Sequence, residues 1–329
     1  MHKKENYMPA DVVIIGAATA KGQDYIQALL ERPNDANIVA IVINKTLPQK
    51  VAEWAATYKW KIIRDGNIQE LIDTTRFDTA LISLPHDQHH AAVKALLDLG
   101  VHIVKEKPLA MNLQEAELYK NQNHRPIFTT VQRSTHPLFL QAKKELAEIG
   151  RPLNFTYTYT FNLPNQTSGW RSDPVKSGGG VVLDMGYHIL DVVNDFFGYP
   201  EKIDAQFSYK YPELEKMRLE DAATLTFIYD GFTGNVILDR HAEKRDERFE
   251  IIGEKGRIVL TPSCYELYRD QTLSTRVELA LSKTAIIQQM FDVCLGQSHD
   301  RERMQKQFDK NLGTMRMIDV IYSQKNQTK

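Results

Sequence analysis

Short apolar runs alternate with helical patterns over the first part of the chain. Six runs are apolar at nearly every position, at residues 12–15, 38–43, 61–63, 79–82, 102–104 and 127–131. Such continuous runs are typical of parallel strands that are buried on both faces. With helices between them and right-handed crossovers, they predict a doubly wound α/β sheet of the Rossmann type over residues 1–133.

The pattern changes to strict alternation after about residue 150. In residues 153–161 the odd positions are large and apolar and the even positions are polar, and similar segments follow at 223–229, 235–239, 249–252 and 257–261. A strand with two unlike faces is typical of an antiparallel sheet. Residues 134–329 are therefore predicted to form an α+β domain on a mostly antiparallel, open sheet, with a hairpin at 253–256 and helices at 180–197, 284–295 and 301–323.

The composition is that of an ordinary soluble protein. The 329 residues carry 41 Lys and Arg against 42 Asp and Glu, a net charge of −1, and 42% are hydrophobic. Nothing in this balance favours nucleic acid or an anionic membrane as a partner. The apolar runs are far shorter than the roughly 20 residues of a membrane span, and no apolar leader precedes Pro9, so we expect a cytoplasmic protein. Cys264 and Cys294 are expected to be reduced.

The loop after the first strand carries a degenerate dinucleotide fingerprint. In a Gly-x-Gly-x-x-Gly motif the glycines allow a tight turn and a close approach of the backbone to a pyrophosphate at the start of a helix. The loop holds Gly16, Ala18, Thr19, Ala20, Lys21 and Gly22, of which Gly16 alone is in register. We expect Gly16, Ala18, Thr19 and Ala20 to contact the cofactor; the alternative is a tight strand-to-helix turn with no ligand.

The end of the second strand bears on the choice of cofactor. A carboxylate at this position accepts the ribose hydroxyl protons of NAD and repels the 2′-phosphate of NADP. Here the strand ends in Asn44 and Lys45, with no carboxylate. The pair favours NADP over NAD, whereas the alternative is that Lys45 is a solvated loop lysine.

Two charged residues stand at the end of the fifth strand. Glu106 and Lys107 precede Pro108 at the carboxyl edge of the predicted parallel sheet, where open α/β sheets bind their ligands. Lys107 is therefore a candidate to hold a substrate hydroxyl by a charge-assisted hydrogen bond.

A fourth candidate segment lies in the second domain. A run of three glycines, 178–180, is expected to let the backbone approach a ligand. It precedes Asp184 and His188, which are four residues apart and share one face of the predicted helix. A carboxylate so placed can orient an imidazole as a general base. The alternatives are an Asp–His pair that only stabilises a helix and a metal site in which Asp191, or His86, His89 and His90, join this pair as ligands. No metal-binding spacing supports the latter, so no metal is expected.

Several of these motifs together resemble the Gfo/Idh/MocA family, named after glucose-fructose oxidoreductase, inositol dehydrogenase and rhizopine catabolism. The motifs are Lys105-Glu106-Lys107-Pro108, the glycine run and Asp184-x-x-x-His188. Pro85-x-x-x-His89, Gln132-Arg133, Trp170-Arg171, Glu220-Asp221 and the hairpin at 253–260 follow the same order. The resemblance therefore covers nearly the whole chain.

The resemblance implies an NAD(P)-dependent oxidoreductase that acts on a sugar, a polyol or a sugar derivative. By it, the first domain binds the dinucleotide, and the second binds substrate and forms a homodimer or homotetramer through its sheet. Its catalytic set maps onto Lys107, Asp184 and His188. Residues that the resemblance adds to the cofactor site are Leu84, Pro85, His89, Glu106, Lys107, Arg133, Trp170 and Arg171.

The same resemblance implies a mechanism and two alternatives. His188, oriented by Asp184, takes the hydroxyl proton while Lys107 stabilises the developing alkoxide. A ligand-sensing regulator without turnover and a redox-assisted glycosidase share this fold. The chain departs from the family pattern at Ala18, at Leu84-Pro85-His86 and in the missing carboxylate after the second strand, positions that concern the cofactor and leave the catalytic set intact.

Overall fold

The computed structural model describes residues 9–44, 46–122, 125–164, 166–295 and 301–325. Contacts divide them into two compact units. The first comprises the described residues up to Ala110 together with Gln114–Thr130 and Ser282–Asp309. The second comprises Met111–Leu113, Val131–Leu281 and the described residues from Lys310.

Fourteen strands lie within the described residues. They are β1 (Ala10–Ile15), β2 (Ala36–Val42), β3 (Lys61–Ile63), β4 (Thr79–Ile82), β5 (His102–Glu106), β6 (Phe128–Thr130), β7 (Pro152–Thr160), β8 (Lys202–Ser208), β9 (Ala222–Tyr229), β10 (Phe232–Asp239), β11 (Asp246–Gly253), β12 (Gly256–Leu260), β13 (Cys264–Arg269) and β14 (Thr272–Glu278).

The helices of the described ranges connect and flank these strands. They are α1 (Ala20–Leu30), α2 (Gln49–Tyr58), α3 (Ile68–Thr74), α4 (His86–Leu96), α5 (Leu113–Gln122), α6 (Gln132–Thr135), α7 (Pro137–Lys144), α8 (Pro174–Ser177), α9 (Tyr187–Phe197), α10 (Pro212–Lys216), α11 (Lys283–Cys294) and α12 (Arg301–Gln324).

The first unit is built on a six-stranded parallel sheet in the order β3-β2-β1-β4-β5-β6. The central positions of β1 and β4 are fully buried, as continuous apolar runs require when helices cover both faces. The Rossmann-type prediction is confirmed. Strand order reverses between β1 and β4, and the crevice at the carboxyl ends of strands at such a switch point is where α/β sheets bind ligands.

One segment from the C-terminal part of the chain belongs to the first unit. Helix α11 packs against α1, with Ile287 and Phe291 fully buried and the Phe291 ring 5.9 Å from that of Tyr25. Arg32 binds Asp292 at 2.5 Å at the edge of this contact. The sequence pattern places everything after residue 133 in the second domain, whereas Ser282–Asp309 belongs to the first unit.

The second unit is built on an eight-stranded sheet in the order β14-β13-β12-β11-β7-β10-β9-β8. Its strand pairs are antiparallel apart from β7 with β10, which run parallel, so the prediction of a mostly antiparallel sheet is confirmed. The hairpin between β11 and β12 is also confirmed, with Gly253 paired to Gly256.

One face of this sheet is buried beneath α9. Phe155 and Tyr157 of β7 point inward, and Phe155 stacks on Phe197 of α9 with ring centroids 4.7 Å apart. The opposite face carries Ile237 and Ile252, each more than a third exposed. Leu153 is 41% exposed, so the predicted inward alternation begins only at Phe155.

The predicted helix at 180–197 is confirmed in its extent, but its first part is not a regular α-helix. The structure forms a π-helical turn over Val182–Gly186, and α9 continues from Tyr187. Spacing along the sequence cannot show such a turn, in which hydrogen bonds reach one residue further than in an α-helix.

Candidate functional site

The glycine loop of the first unit is shaped by close backbone contacts. Gly16 has φ +91°, which favours glycine, and a Cβ atom there would overlap the carbonyl group of Ser83 at the end of β4. Thr19 caps α1 by accepting a hydrogen bond from the Gly22 N–H at 2.9 Å, and its hydroxyl lies 2.9 Å from that of Ser83. The loop is thereby held against the switch point of the sheet.

Gly22 completes this loop, although the sequence pattern places it one residue late. A Cβ atom on Gly22 would overlap the Gly16 carbonyl oxygen and lie 2.9 Å from the Cα of Ala17. Gly22 therefore allows the close packing of helix on strand that the third glycine of a dinucleotide fingerprint provides. The start of a helix leaves its first N–H groups without a partner in a preceding turn, and such groups are the usual setting for a bound pyrophosphate.

The segment after β4 adds a buried histidine. The Nε2 of His89 lies 2.7 Å from the Leu84 carbonyl oxygen, and Pro85 precedes α4. Burial, with the positive charge of Lys105, holds the pKa of His89 well below its usual range. The ring is therefore neutral, with the proton on Nε2, and its buried Nδ1 has no hydrogen-bond partner among the described residues.

The end of β5 is anchored on both of its faces. On one face, the Tyr25 hydroxyl of α1 donates to the Glu106 carboxylate and lies 3.1 Å from Thr130 Oγ1. Burial and the charge of Glu106 raise the pKa of Tyr25 well above its usual range, so this donor keeps its proton. On the other face, Lys105 donates to the carbonyl oxygens of Pro108 and Leu109. Lys107, which is half-buried, is the first residue after β5.

The end of β2 places Asn44 beside the first turn of α4. Its amide Nδ2 donates to Gln88 Oε1 at 3.1 Å, and its side chain is exposed. Gly66 has φ +64° and passes so close to the Asn44 amide that any side chain there would collide with it. Lys45, the other predicted residue, lies outside the described residues.

In the second unit, the three glycines before Asp184 are required by the protein's own packing. A Cβ on Gly178 would lie 2.9 Å from Met111 Cε, one on Gly179 would overlap the Tyr322 hydroxyl, and one on Gly180 would overlap the Glu220 carbonyl. This differs from the expectation that the glycines admit a ligand to the backbone.

The start of the segment that carries Asp184 is fixed by a buried network. The Glu220 carboxylate accepts from the Val182 N–H at 3.0 Å, from the Tyr322 hydroxyl at 2.9 Å and from Lys325. The Tyr322 oxygen accepts from the Leu183 N–H at 3.1 Å. Burial and the Glu220 charge raise the pKa of Tyr322 well above its usual range.

Asp184 is buried within the π-helical turn and faces two arginines. Arg171 Nε donates to Asp184 Oδ2 at 2.8 Å, and Arg240 lies 4.0 Å from the same oxygen. Arg171 also stacks on Trp170, 4.2 Å from the ring centroid. The sequence did not single out Arg240, whose side chain is 1% exposed. His188 lies in the first turn of α9.

Arg133 is engaged on the sheet of the second unit. Its guanidinium forms a bidentate ion pair with buried Glu247, one bond of which is 2.6 Å, and lies over the Tyr159 ring at 5.0 Å. The negative charge of Glu247 overcomes burial and raises the pKa of Arg133. Its contact with a cofactor stays a prediction.

The structure thus groups the predicted residues by unit. The first unit brings Gly16, Ala18, Thr19, Ala20, Leu84, Pro85, His89, Glu106 and Lys107 to the loops and helix starts that follow β1, β4 and β5. The second brings Trp170, Arg171, Asp184 and His188 to neighbouring segments, with Arg133 on a separate short helix. No group of three or more His, Cys, Asp or Glu among the described residues is arranged to hold a metal ion.

Two family models match this chain, one for each part. Residues 10–123 match the oxidoreductase family with an NAD-binding Rossmann fold, and residues 139–259 match the Gfo/Idh/MocA C-terminal domain. The chain belongs to the Gfo/Idh/MocA family. The resemblance stated from the motifs is confirmed.

Two of the curated relatives that match over much of this chain are dehydrogenases named for levoglucosan and for scyllo-inositol. Levoglucosan dehydrogenase of Pseudarthrobacter phenanthrenivorans is 27% identical over 69% of this chain and 66% of its own length. The NADP(+) scyllo-inositol 2-dehydrogenase IolU of Bacillus subtilis is 24% identical over 79% of this chain and 81% of its own. A levoglucosan dehydrogenase structure with NADH and levoglucosan has a TM-score of 0.78 at 20% identity and covers 98% of both chains, which shows the shared fold.

Matches to other relatives are shorter. The chain spans less than half the length of the first four curated relatives that it matches. Among the described residues, no helix is both long and apolar enough to cross a membrane.

Proposed function

We propose that this protein is an NAD(P)-dependent oxidoreductase that interconverts a carbinol and a carbonyl group of a sugar, a polyol or a sugar derivative. The observation that carries the proposal lies in the first unit. There the glycine loop, the turn after β4 and Lys107 follow three neighbouring parallel strands, β1, β4 and β5, at their carboxyl ends. Family membership and the names of the relatives support it.

The residues of the glycine loop fit a dinucleotide. The contacts of Gly16 and Gly22 leave no room for side chains, and the first turn of α1 offers N–H groups to a pyrophosphate. Gly16, Ala18, Thr19 and Ala20 would hold that group. A bound nicotinamide supplies or accepts the hydride.

Three residues would handle the proton and the charge of the reacting hydroxyl. In oxidation, His188 takes the hydroxyl proton as general base, and Lys107 stabilises the negative charge that develops on that oxygen. Asp184 orients the His188 ring. In reduction, protonated His188 returns the proton to the carbonyl oxygen.

The residues at the end of β2 favour NADP. Among the described residues from Val42 to Asn44 there is no carboxylate, and Asn44 offers a neutral amide. An added carboxylate repels a 2′-phosphate. Titration should show tighter binding of NADPH than of NADH, and Asn44→Asp should reverse the order. A clear preference for NADH that Lys45→Ala leaves unchanged would refute the NADP assignment.

The exposed face of the second sheet is the proposed surface for a homodimer or homotetramer. It carries Ile237 of β10 and Ile252 of β11, which flank β7 and pair with its polar residues Thr158 and Asn154. Sedimentation at micromolar concentration should give a multiple of the 37.8 kDa chain mass. A mass of one chain would reject this assembly.

A thermal-shift screen followed by an absorbance assay tests the activity. A ligand that binds the folded state raises the unfolding midpoint by mass action. NADP or NAD should raise it first, and a polyol or aldose from a panel should raise it further. The pairs that do so should then change nicotinamide absorbance. Binding of a sugar without any turnover would instead favour a sensor.

A further inference from the structure

Lys105 has no place in the proposed chemistry, yet it is the most deeply buried lysine of the described residues. It is fully buried in β5, two residues before Lys107. Its Nζ donates to the Pro108 carbonyl oxygen and, at 2.9 Å, to the Leu109 carbonyl oxygen. Both acceptors lie in the turn that leaves the strand immediately after Lys107.

Burying an ammonium group is costly, so its partners must compensate. Backbone carbonyl oxygens that accept from a charged donor make stronger hydrogen bonds than those with neutral donors. Here the two carbonyls belong to consecutive residues, and a single ammonium therefore fixes the direction of the backbone on both sides of one peptide group. The neighbouring Glu106 is fixed on the opposite face by Tyr25. Lys107 lies between these two attachments.

We propose that Lys105 is a positioning residue. It holds the turn that carries Lys107 by donating to the carbonyl groups of Pro108 and Leu109, and it does so most strongly in its charged form. The inference rests on the proposed function only in giving Lys107 its catalytic role. The effect on the turn itself does not depend on any activity.

The charge of Lys105 changes within the physiological range. Burial lowers the pKa of Lys105 to about 7, against the smaller, raising effects of Glu106 in the same strand and of Glu115 in α5. The facing group in α4 is His89, which is neutral. Thr129 of β6, which pairs with Lys105 in the sheet, is uncharged. Raising the pH through 7 therefore removes the charge that strengthens both hydrogen bonds.

Hydrogen exchange of the full-length protein tests the turn directly. The variant Lys105→Met keeps a long, unbranched side chain and removes the ammonium donor. In this variant the protection factors of residues 107–112 should fall by about tenfold or more, while those of β2 and α1 stay within about twofold. The control is Val104→Ala, a buried substitution in the same strand without a hydrogen bond to the turn. Val104→Ala should not lower the protection factors of residues 107–112 more than those of the rest of the sheet.

A second experiment measures how the protection of the turn depends on pH and how the Lys105 variants affect turnover. In the wild type, protection of the turn should decrease between pH 6 and 8.5 with a midpoint near 7, and Lys105→Met should lack this change. With a substrate from the screen, Lys105→Met should lower kcat by about tenfold, with cofactor Kd changed less than about threefold, and Lys105→Arg should restore part of kcat.

The possible outcomes separate the two proposals. If the turn loosens in Lys105→Met but no substrate is ever turned over, the proposed function fails and the positioning role stands. If the protection of residues 107–112 is unchanged, or falls equally in Val104→Ala, the positioning role is wrong. If Lys105→Met does not fold, a wild-type turn whose protection is constant from pH 6 to 8.5 overturns the proposal, and a midpoint near 7 supports it.

Discussion

A Cβ atom on Gly22 would overlap the carbonyl oxygen of Gly16, six residues earlier. The first turn of α1 therefore lies directly on the loop that leaves β1. The contact joins the cap of the helix, the glycine loop and the end of β4 into one rigid turn at the switch point of the sheet.

Gly22→Ala should weaken cofactor binding because the added methyl group forces this turn apart. Overpacking of this kind typically costs about 1–3 kcal/mol of folding free energy, and we expect cofactor Kd to rise about tenfold or more. Titration of NADPH binding measures it. Gly100→Ala is the control, since Gly100 has open space around it and its positive φ, which Gly22 does not share, tests whether a strained glycine substitution alone weakens binding. Equal Kd values for Gly22→Ala and wild type would contradict the assigned role of Gly22.

Tyr25→Phe should reduce turnover through Glu106. The substitution removes the hydroxyl that donates to the Glu106 carboxylate, and the loss of such a charge-assisted hydrogen bond costs about 1.5–3 kcal/mol. We expect kcat/KM to fall by about tenfold. Tyr119→Phe is a matched control because Tyr119 is equally buried but its hydroxyl pairs with His90. If both variants keep wild-type kcat/KM, Glu106 does not need this anchor.

Lys105 should also make stability depend on pH in a defined direction. Its pKa is about 7 in the folded protein against 10.5 ordinarily, so between these values the unfolded chain binds more protons. The free energy of global unfolding, which releases Lys105 into water, should therefore rise with pH above 7, by at most about 1.4 kcal/mol per pH unit from this group. Local opening of the turn differs, because it leaves Lys105 buried and breaks only its bonds to Pro108 and Leu109, which weaken as the charge is lost. Below pH 7 both states are protonated and the contribution is constant.

Urea unfolding at pH 7, 8 and 9 measures this slope. The wild type should gain stability relative to Lys105→Met as the pH rises, and Lys94→Met, which removes an exposed lysine of α4, should keep the wild-type slope. Parallel curves for wild type and Lys105→Met would show that Lys105 titrates at its ordinary pKa.

Local patterns were sufficient to predict the first sheet. Its strands are apolar at successive positions because helices cover both faces, and this leaves a clear signal in the sequence. In the second sheet, β8, β13 and β14 were missed because they are rich in polar residues. Arg276 of β14, for example, donates a hydrogen bond to Glu266 of β13 at the protein surface. Such pairs of charged residues leave no hydrophobic alternation in the sequence.

The parts of the site that depend on distant contacts were not predictable. Gly178, Gly179 and Gly180 are a visible run, but they pack on Met111, Tyr322 and Glu220, which are far from them in the sequence. Arg240 near Asp184 follows β10, and only the folded sheet brings them together. The π-helical turn at Asp184 likewise leaves no signal in the spacing of apolar residues.

The central claim is that Lys107 and His188 act in turnover on a substrate hydroxyl. The most direct measurement is kcat for Lys107→Ala and His188→Ala with NADP or NAD and a substrate found by the screen, alongside cofactor Kd for the same variants. We predict that kcat falls by about 10²-fold or more in each, with cofactor binding largely retained, and that Asp184→Asn does less harm than His188→Ala. Wild-type kcat in either alanine variant would contradict the account.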